Sequence, residues 1–381
     1  MNNKRVYVDI HVIQTVPPSC VNRDDTGAPK SAIYGGTRRA RISSQCWKHA
    51  VRVYFRDLLD RSSLALRTKT ADKAVAKVLT DSGMEEDAAH KKAEEAMLAL
   101  QVKSSKDGKK DPLFFLSNAQ VNAVAEIIMQ NPDIDLEAKP KKEAGTKSEK
   151  DTEAEQKKKA YLGQLKEAIT HAPGIEIALF GRMAASDSTL NMDASCQVAH
   201  AISTHKVMNE FDYYTAVDDM KANDKEASDQ GAGFLSTAEF NSATLYRYAT
   251  IAAHDLAKNL GDDTASAICA FTEAFVKSMP TGKENAYANH TLPDAVLVTV
   301  RTDQPINFVG AFEDAVETEN GYVKASEERL VQYAEKTYDD FAGAPAVSYV
   351  VGGLDGVGDK MSFNEMLKEL EHTVTEQLCE I

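Results

Sequence analysis

The sequence predicts an α+β fold, and three observations lead to that prediction. Strand-like and helix-like segments alternate near both ends of the 381-residue chain, a helix-rich block lies between them, and two strand-like segments are joined by a long polar tip. Helices inserted between strands in this way are typical of α+β proteins. The length allows one large domain or two to three smaller ones, and 43% hydrophobic residues support an ordinary globular core.

The first half of the chain contains strands, helices and one polar insert. Alternation over Arg5–Val16 predicts a half-buried strand that Pro17-Pro18 ends, and Asn22–Lys30 is predicted as a loop. Helices are predicted at Leu64–Leu100, with a break at Gly83, at Asn118–Met129 and at Leu162–Thr170. A disordered or loosely helical insert is predicted at Leu136–Lys159, and a short strand with an exposed loop at Gly174–Ala185. A solvated linker without function is the favoured interpretation of the insert.

The second half is predicted to contain a protruding hairpin followed by alternating elements. Phe211–Asp219 and Ala238–Ala252 are strand-like, and the polar segment Lys221–Gly233 joins them. The later elements are predicted as helix Asp255–Met279, strand Ala295–Thr302, helices near Asn307–Val316 and Glu327–Phe341, strand Pro345–Val351 and helix Met361–Leu378.

Overall charge and cysteine usage restrict the function classes. A net charge of −14 argues against indiscriminate nucleic-acid binding, although it allows a narrow basic channel. Five scattered cysteines without a C-x-x-C pair suggest neither a zinc ribbon nor a disulfide framework, so we expect no cofactor and a reducing, cytoplasmic setting. No signal peptide and no membrane-spanning run are recognised, so no membrane partner is expected.

The segment Thr26–Arg56 carries a strong local positive charge. It contains seven cations and no acid, namely Lys30, Arg38, Arg39, Arg41, Lys48, Arg52 and Arg56. A polyanion is the usual reason for such a contrast with the rest of the chain. The alternative is a solvated surface helix whose cations balance acids elsewhere.

The residue types in this segment suit a phosphate backbone. Gly35-Gly36 is expected to form a flexible turn with outward N–H groups, and arginine guanidinium groups match phosphate oxygens. Ser43 or Ser44 is predicted to cap a helix over Gln45–Leu59, whose free N–H groups favour an anion. On that helix Lys48, Arg52 and Arg56 form a basic stripe, opposite an apolar face of Cys46, Ala50, Val53 and Tyr54.

Several motifs in one order resemble the CasC family, the repeated backbone subunit of the subtype I-E CRISPR Cascade complex. The matching motifs are N-R-D-D at Asn22–Asp25, I-Y-G-G-T-R-R-A-R-I-S-S-Q at Ile33–Gln45 followed by Lys48 and Arg52, F-G-R-M-A at Phe180–Ala184, A-H-A-I-S-T-H-K-V at Ala199–Val207, Y-T-A-V-D-D at Tyr214–Asp219, and Leu245–Ala249. The similarity is recognised from the first strand to about Ala315 and fades in the insert and in the last sixty or so residues.

The resemblance implies an RRM-like palm, a helical fingers insertion and a hairpin thumb. Its divisions are residues 1–60 for the first part of the palm with the RNA cradle, 61–195 for the fingers with a disordered Lys/Glu-rich segment at 136–159, 207–238 for the thumb, and 239–381 for the second part of the palm. The aromatic pattern of an ordinary RRM is not found, so aromatic stacking on the sheet is not expected.

The resemblance also implies the site residues. The expected RNA-binding residues are Arg23, Lys30, Arg38, Arg39, Arg41, Ser43, Gln45, Lys48, Arg52 and Arg67. Met183 and Tyr214 are expected to wedge against bases, although Tyr214 stands where the family has Phe. The alternative for Met183 and Tyr214 is an ordinary place in the core.

No catalytic or metal constellation is recognised. His200 and His205 are five residues apart and fit no metal motif, so structural roles are expected for both. His11 on the first strand is a candidate acid or base without a positioned partner. Asp24-Asp25 and Asp218-Asp219 only superficially resemble metal carboxylates.

The resulting interpretation is a non-enzymatic subunit that polymerises along CRISPR guide RNA. Its expected partners are the guide RNA, the target DNA strand paired to the guide, other copies of itself and other Cascade subunits. Two alternatives remain open. One is a guide-RNA-processing endonuclease, and the other is a self-assembling structural protein that binds no nucleic acid.

Overall fold

The computed structural model describes residues 5–102, 113–136, 149–184, 187–216 and 234–380, and its α+β composition confirms the predicted fold class. The strands are β1 Tyr7–Ser19, β2 Ser31–Tyr34, β3 Thr37–Ile42, β4 Ala65–Thr68, β5 Phe114–Ser117, β6 Cys196–Val198, β7 Ala201–Ser203, β8 Glu210–Ala216, β9 Phe234–Ala252, β10 Ala295–Arg301, β11 Val347–Val351 and β12 Asp359–Lys360.

The helices are distributed along the chain from Ser44 onward. They are α1 Ser44–Leu58, α2 Ala71–Asp81, α3 Glu86–Ala99, α4 Asn118–Gln130, α5 Glu149–Thr170, α6 Gly174–Phe180, α7 Ala253–Leu260, α8 Thr264–Lys277, α9 Glu284–Tyr287, α10 Val323–Thr337 and α11 Phe363–Cys379. The chain divides into two compact units, one of residues 1–54, 197–254 and 268–381 and the other of residues 55–196 and 255–267.

A mixed sheet forms the centre of the first unit. Within the described residues its strand order is β12-β11-β10-β1-β9-β7-β3-β2, and β6 and β8 also pair with β9. The central strand β1 is antiparallel to both β9 and β10, whereas β11 and β12 are parallel. This order places β3 and β2 at the edge opposite β11 and β12.

Strand β1 is buried on both faces, so the prediction of a half-buried strand was wrong. Asp9 and His11, assigned to the solvent face by their polarity, have no exposed surface. Pro17-Pro18 does not end the strand either, because the register with β9 shifts between Val16 and Ser19 and accommodates both prolines. Proline is tolerated at such a bulge because no ladder hydrogen bond is required of it.

Two polar side chains of β1, those of Asp9 and His11, lie inside the protein. The Asp9 carboxylate accepts hydrogen bonds from the Tyr248 hydroxyl at 2.9 Å and from the Ile306 N–H at 2.8 Å, and burial raises the pKa of Asp9 to about 6. His11 stacks on the Phe308 ring with 4.5 Å between centroids, and burial lowers its pKa to about 3. His11 is therefore shielded from any substrate in solution.

The second unit has a helical core. Small and aliphatic side chains of α2, α3, α4 and α5 pack into one apolar cluster, beside the two-stranded sheet β4-β5. Gly83, with φ +96°, separates α2 from α3 as predicted. The predicted strand at Gly174–Ala185 was wrong, because Gly174–Phe180 forms helix α6 with its apolar run buried. A short apolar run does not distinguish a buried strand from a buried helix.

Three further predictions differ from the structure or lie outside its described residues. The single helix predicted over Asp255–Met279 is two helices, α7 and α8, separated by a 3₁₀ turn at Gly261–Asp263 in which Gly261 has φ +54°. The helix predicted near Asn307–Val316 is a 3₁₀ turn at Phe308–Phe312. Half of the predicted insert, residues 137–148, and the predicted hairpin tip lie outside the described residues, while α5 covers the end of the insert from Glu149 onward.

Candidate nucleic-acid interface

The strand pair β2–β3 carries the first part of the basic segment. Gly35 and Gly36 form its two-residue turn with φ values of +55° and +72°, the conformation that a type I′ hairpin turn requires. A Cβ atom on Gly35 would lie 1.6 Å from the Glu313 carbonyl oxygen. The Gly-Gly pair therefore closes a hairpin that packs on another backbone, which corrects the expectation of a flexible, outward-facing turn.

Helix α1 carries the second part of the basic segment and begins at Ser44, as predicted. The Ser43 hydroxyl accepts a hydrogen bond from the Cys46 N–H at 3.4 Å, and Ser43 is buried as the cap of the helix. Its predicted RNA contact is therefore replaced by capping in this structure. Of the predicted apolar face, Ala50 is buried and Cys46 packs against the core, whereas Val53 is exposed; the buried face also includes Trp47 and Val51.

A cation–π stack fixes α1 on the sheet. The Arg247 guanidinium carbon lies 3.6 Å from the centre of the Trp47 ring and 4.5 Å from the centre of the Phe275 ring. Arg247 is fully buried on β9, where it donates hydrogen bonds to Gln14 Oε1 and to the Phe275 carbonyl, and burial lowers its pKa to about 9. This contact holds the buried face of α1 against the sheet. Lys48, on the same helix, remains half-exposed.

Several predicted RNA-binding residues lie at the surface of the first unit. Arg23, Arg38 and Gln45 are exposed, and Lys30, Lys48 and Arg52 are half-exposed. Among the described residues, no salt bridge involves Arg23, Lys30 or Arg38. In a chain with 58 acidic residues and 44 lysines and arginines, such cations are available to a ligand.

Lys30 and Arg41 are brought together in one shallow cleft. The Arg41 N–H donates to the Lys30 carbonyl at 2.9 Å, and both side chains line a cleft that Asn22 and Asn241 also border. The cleft thus combines the loop before β2, strand β3 and strand β9. Two cations and two side-chain amides are donors suited to phosphate and sugar oxygens.

His200 contacts Arg41 beside this cleft and was not predicted as a site residue. Arg41 Nη1 lies 3.1 Å from His200 Nδ1, and partial burial, then Arg41 and Lys30, lower the pKa of His200. Because a guanidinium can only donate, Nδ1 must accept and the proton of the neutral ring must lie on Nε2. His200 therefore presents an N–H donor to the surface. In the sequence, His200 stood out only as part of the motif at Ala199–Val207, and that motif does not reveal the contact with Arg41.

Arg39 is the clearest correction to the predicted RNA-binding set. Its side chain has no exposed surface, and its guanidinium donates to four backbone carbonyls, those of Ser203, Thr204, Phe312 and Glu313, at 2.9–3.0 Å. The guanidinium is fully engaged inside the unit, and burial lowers its pKa. Arg39 is a structural arginine and does not reach a ligand in this conformation.

Two predicted residues meet in the second unit. Arg67, exposed on β4, and Met183, 80% exposed, line one pocket with Phe180, Asn191 and Asp193. The neighbouring Arg182 is buried and donates to the carbonyls of Leu190 at 2.9 Å and Ile169 at 3.1 Å. Arg182 thus holds the loop that presents Met183, and Met183 is not a core residue.

The hairpin β8–β9 presents aromatic side chains on both faces. Tyr214, predicted to wedge against bases, is 43% exposed, while Phe211 and Tyr213 are 68% and 66% exposed. Tyr214 pairs with Ser236 and shares its face with Phe240, whereas Phe211 and Tyr213 lie on the other face. From the sequence, only Tyr214 was named among these three exposed aromatic residues, because a sequence does not show which face of a hairpin is exposed to solvent.

Asp24 and His205, which the sequence analysis weighed as metal ligands, have other hydrogen-bond partners in the structure. Asp24 Oδ1 accepts hydrogen bonds from the Thr26 hydroxyl at 2.7 Å and the Thr26 N–H at 2.9 Å, so Asp24 shapes its own loop. The ring nitrogens of His205 contact the Lys206 carbonyl and the Thr244 N–H, as expected for a structural histidine. No cluster of three metal-binding side chains is found within the described ranges, which exclude Asp218-Asp219.

Comparison with known proteins places the chain in a family. The profile of the CT1975-like protein family, a Cas family, matches residues 8–376. The chain belongs to the CT1975-like protein family. The match reaches beyond Ala315, where the resemblance recognised from motifs ended. The subtype I-E assignment stays a prediction.

Solved structures resemble this CT1975-like protein over almost its whole length. A chain of a CRISPR RNA-guided surveillance complex, pre-nicking, is 30% identical, with 97% of this chain and 100% of that chain covered and a TM-score of 0.78. A chain of another CRISPR RNA-guided surveillance complex is 26% identical, with 96% and 99% covered and a TM-score of 0.60. The comparison with curated proteins gave no significant match. Among helices in the described parts of this CT1975-like protein, none has the length and hydrophobicity needed to cross a membrane.

Proposed function

We propose that this CT1975-like protein is a non-catalytic RNA-binding subunit of a Cascade-type CRISPR surveillance complex. The observation that carries the proposal is the surface of Arg23, Lys30, Arg38, Arg41 and His200, whose donors point to a polyanion in an acidic chain. The similarity to chains of RNA-guided surveillance complexes supports guide RNA as that polyanion.

The subunit holds the RNA backbone without reading its sequence. Lysine, arginine and amide side chains bind phosphate and sugar oxygens, which are the same in every nucleotide. Copies of the subunit polymerise along the guide, and the exposed guide bases pair with the target DNA strand, so base pairing supplies specificity. In this proposal the first unit contributes an RRM-like palm, the second unit the fingers, and β8–β9 the thumb, within a cytoplasmic assembly that includes other Cascade subunits.

The proposed role requires no chemical step. A guide-RNA-processing endonuclease needs an acid and a base that reach the RNA, but His11 is buried and His200 Nδ1 is occupied by Arg41. His200 is therefore suited to donate a hydrogen bond and is poorly suited to remove a proton from a ribose hydroxyl. This geometry supports binding over cleavage.

Charge removal at this basic surface tests the proposed function. The double substitution Lys30→Ala with Arg38→Ala should weaken binding of single-stranded RNA equally for all sequences. The slope of log K against log salt should become shallower by about 1.4, because about 0.7 is lost per phosphate contact on single strands. Fluorescence anisotropy with several unrelated RNA sequences between 50 mM and 300 mM salt measures both effects.

A matched control uses the opposite edge of the same sheet. Lys360→Ala with Lys368→Ala removes the same charge on β12 and α11, and it should leave affinity and salt slope nearly unchanged. An equal loss in both double variants would reduce the effect to net charge and contradict a defined interface. Defined cuts in the RNA during these titrations would instead support the endonuclease.

A further inference from the structure

The segment Thr281–Ala288 docks between the loop of Arg23 and the base of the hairpin β8–β9. A Cβ atom on Gly282 would lie 2.0 Å from the Val21 carbonyl oxygen, so the segment touches the backbone that leads into the Arg23 loop. On its other side the Tyr287 and Phe240 rings are 6.1 Å apart between centroids. Phe240 pairs with Glu210 at the start of β8. Lys283 and Tyr287 are therefore held at the point where loop and hairpin meet.

Lys283 adds a cation to this junction. It is half-exposed, and no salt bridge in the described parts of the chain involves it. Burial raises the pKa of the Cys20 thiol, Lys283 and Arg23 lower it, and Asp24 and Glu239 raise it, so both cations lie near Cys20 together with two acids. Lys283 also adopts the left-handed conformation, with φ +49°, where glycine is usual.

Tyr287 adds an aromatic surface beside that cation. Tyr287 is half-exposed and lies on the hairpin face that carries Tyr214, since it packs against Phe240 on that face. Tyr287 packs against Phe240 with a tilt of 40° between the rings. An aromatic ring next to a cation is the arrangement that binds single-stranded nucleic acid without sequence preference.

We propose that Lys283 and Tyr287 form a nucleotide subsite for single-stranded RNA at the base of the hairpin. Lys283, with Arg23, binds one backbone phosphate, and the neighbouring base stacks on the Tyr287 ring. Stacking tolerates every base because each has an aromatic face. The subsite rests on the proposed function and extends the RNA path from the Lys30 and Arg41 cleft to the hairpin.

Lys283→Gly tests the phosphate contact without unfolding the protein. Glycine fits the left-handed backbone, so the melting temperature should be unchanged or higher. RNA affinity at 0.1 M salt should fall about fivefold, and the salt slope should become shallower by about 0.7, for one lost phosphate contact. Lys368→Ala is the control, and its affinity should match that of the unmodified protein.

Photocrosslinking tests the stacking contact directly. RNA that carries 5-iodouridine at successive positions should crosslink to Tyr287 at one position within each bound segment, as mass spectrometry of the peptides would show. Tyr287→Leu should abolish that crosslink and lower affinity about tenfold for all sequences, whereas Tyr287→Phe should keep both. A Tyr287 peptide without adduct, or a Lys283→Gly variant with the full salt slope, would overturn the subsite.

The outcomes separate the subsite from the function on which it rests. If the unmodified protein binds no RNA, both proposals fail. If it binds RNA and the Lys30→Ala, Arg38→Ala variant loses affinity while Lys283→Gly and Tyr287→Leu do not, only the subsite fails.

Discussion

Adjacent arginines on β3 have opposite roles. Successive side chains of a strand point to opposite faces, so Arg38 reaches solvent while Arg39 enters the interior. The buried guanidinium ties β3 to the carbonyls of Ser203, Thr204, Phe312 and Glu313. Arg39 therefore shapes the surface that Arg38 occupies, although the sequence placed both in one cluster.

The two arginines should separate stability from binding. Arg39→Met keeps an apolar stem but removes the guanidinium hydrogen bonds to four backbone carbonyls inside the unit, so the free energy of unfolding should fall by about 3 kcal/mol. Arg38→Ala should change it by less than about 0.5 kcal/mol while weakening RNA binding. Urea unfolding and RNA anisotropy on both variants provide the measurements. A stable Arg39→Met protein with a specific loss of RNA affinity would reinstate Arg39 as a ligand.

The sequence predicted the charge of the candidate site better than its geometry. Local composition predicted Lys30, Arg38 and Arg41 as surface cations, because charge density along the chain is visible without a fold, and the family resemblance added Arg23. His200 required knowledge of tertiary contact, since its role follows from the 3.1 Å contact with Arg41. Ser43 was assigned a ligand although it caps α1.

At the scale of elements, the start of helix α1 was predicted well and its buried face less well. Helix α1 begins within one residue of its predicted start because capping chemistry is local. Its buried face was predicted only in part: Ala50 is buried, but Trp47 was left out, and its anchor Arg247 lies far along the chain. Helix α6 was predicted as a strand because seven apolar and small residues carry too little periodicity.

The hairpin turn of β2–β3 offers a matched pair of glycines. Both have positive φ, but a Cβ on Gly35 meets the Glu313 carbonyl, whereas a Cβ on Gly36 meets nothing within 4 Å. Gly36→Ala should therefore cost only about 1 kcal/mol of backbone strain, and Gly35→Ala should cost at least about 2 kcal/mol more. Thermal unfolding of both variants measures the difference. Equal costs would show that the turn does not pack on Glu313.

At the scale of the whole molecule, the α+β class was predictable, but the association of distant segments was not. The order of the motifs indicated a Cas family, and the profile match over residues 8–376 bears this out at the level of the CT1975-like protein family. The junction of the Arg23 loop, Gly282 and the hairpin joins segments distant in sequence. No local pattern encodes such a junction, so it became visible only in the folded chain.

The charge distribution of the whole molecule favours binding of nucleic acid at one surface over non-specific binding. A chain of net charge −14 disfavours general binding of nucleic acid, while the exposed or half-exposed Arg23, Lys30 and Arg38 form no salt bridge among the described residues. This arrangement suits a subunit that repeats along a single strand.

Sedimentation velocity of the purified protein with single-stranded RNA of increasing length tests the central claim most directly. At low salt the account predicts complexes that grow in steps as the RNA lengthens, that dissociate at high salt, and that form less readily with Lys30→Ala, Arg38→Ala than with Lys360→Ala, Lys368→Ala. A sedimentation coefficient that does not change with RNA length at low salt would contradict the proposal that this subunit polymerises along RNA.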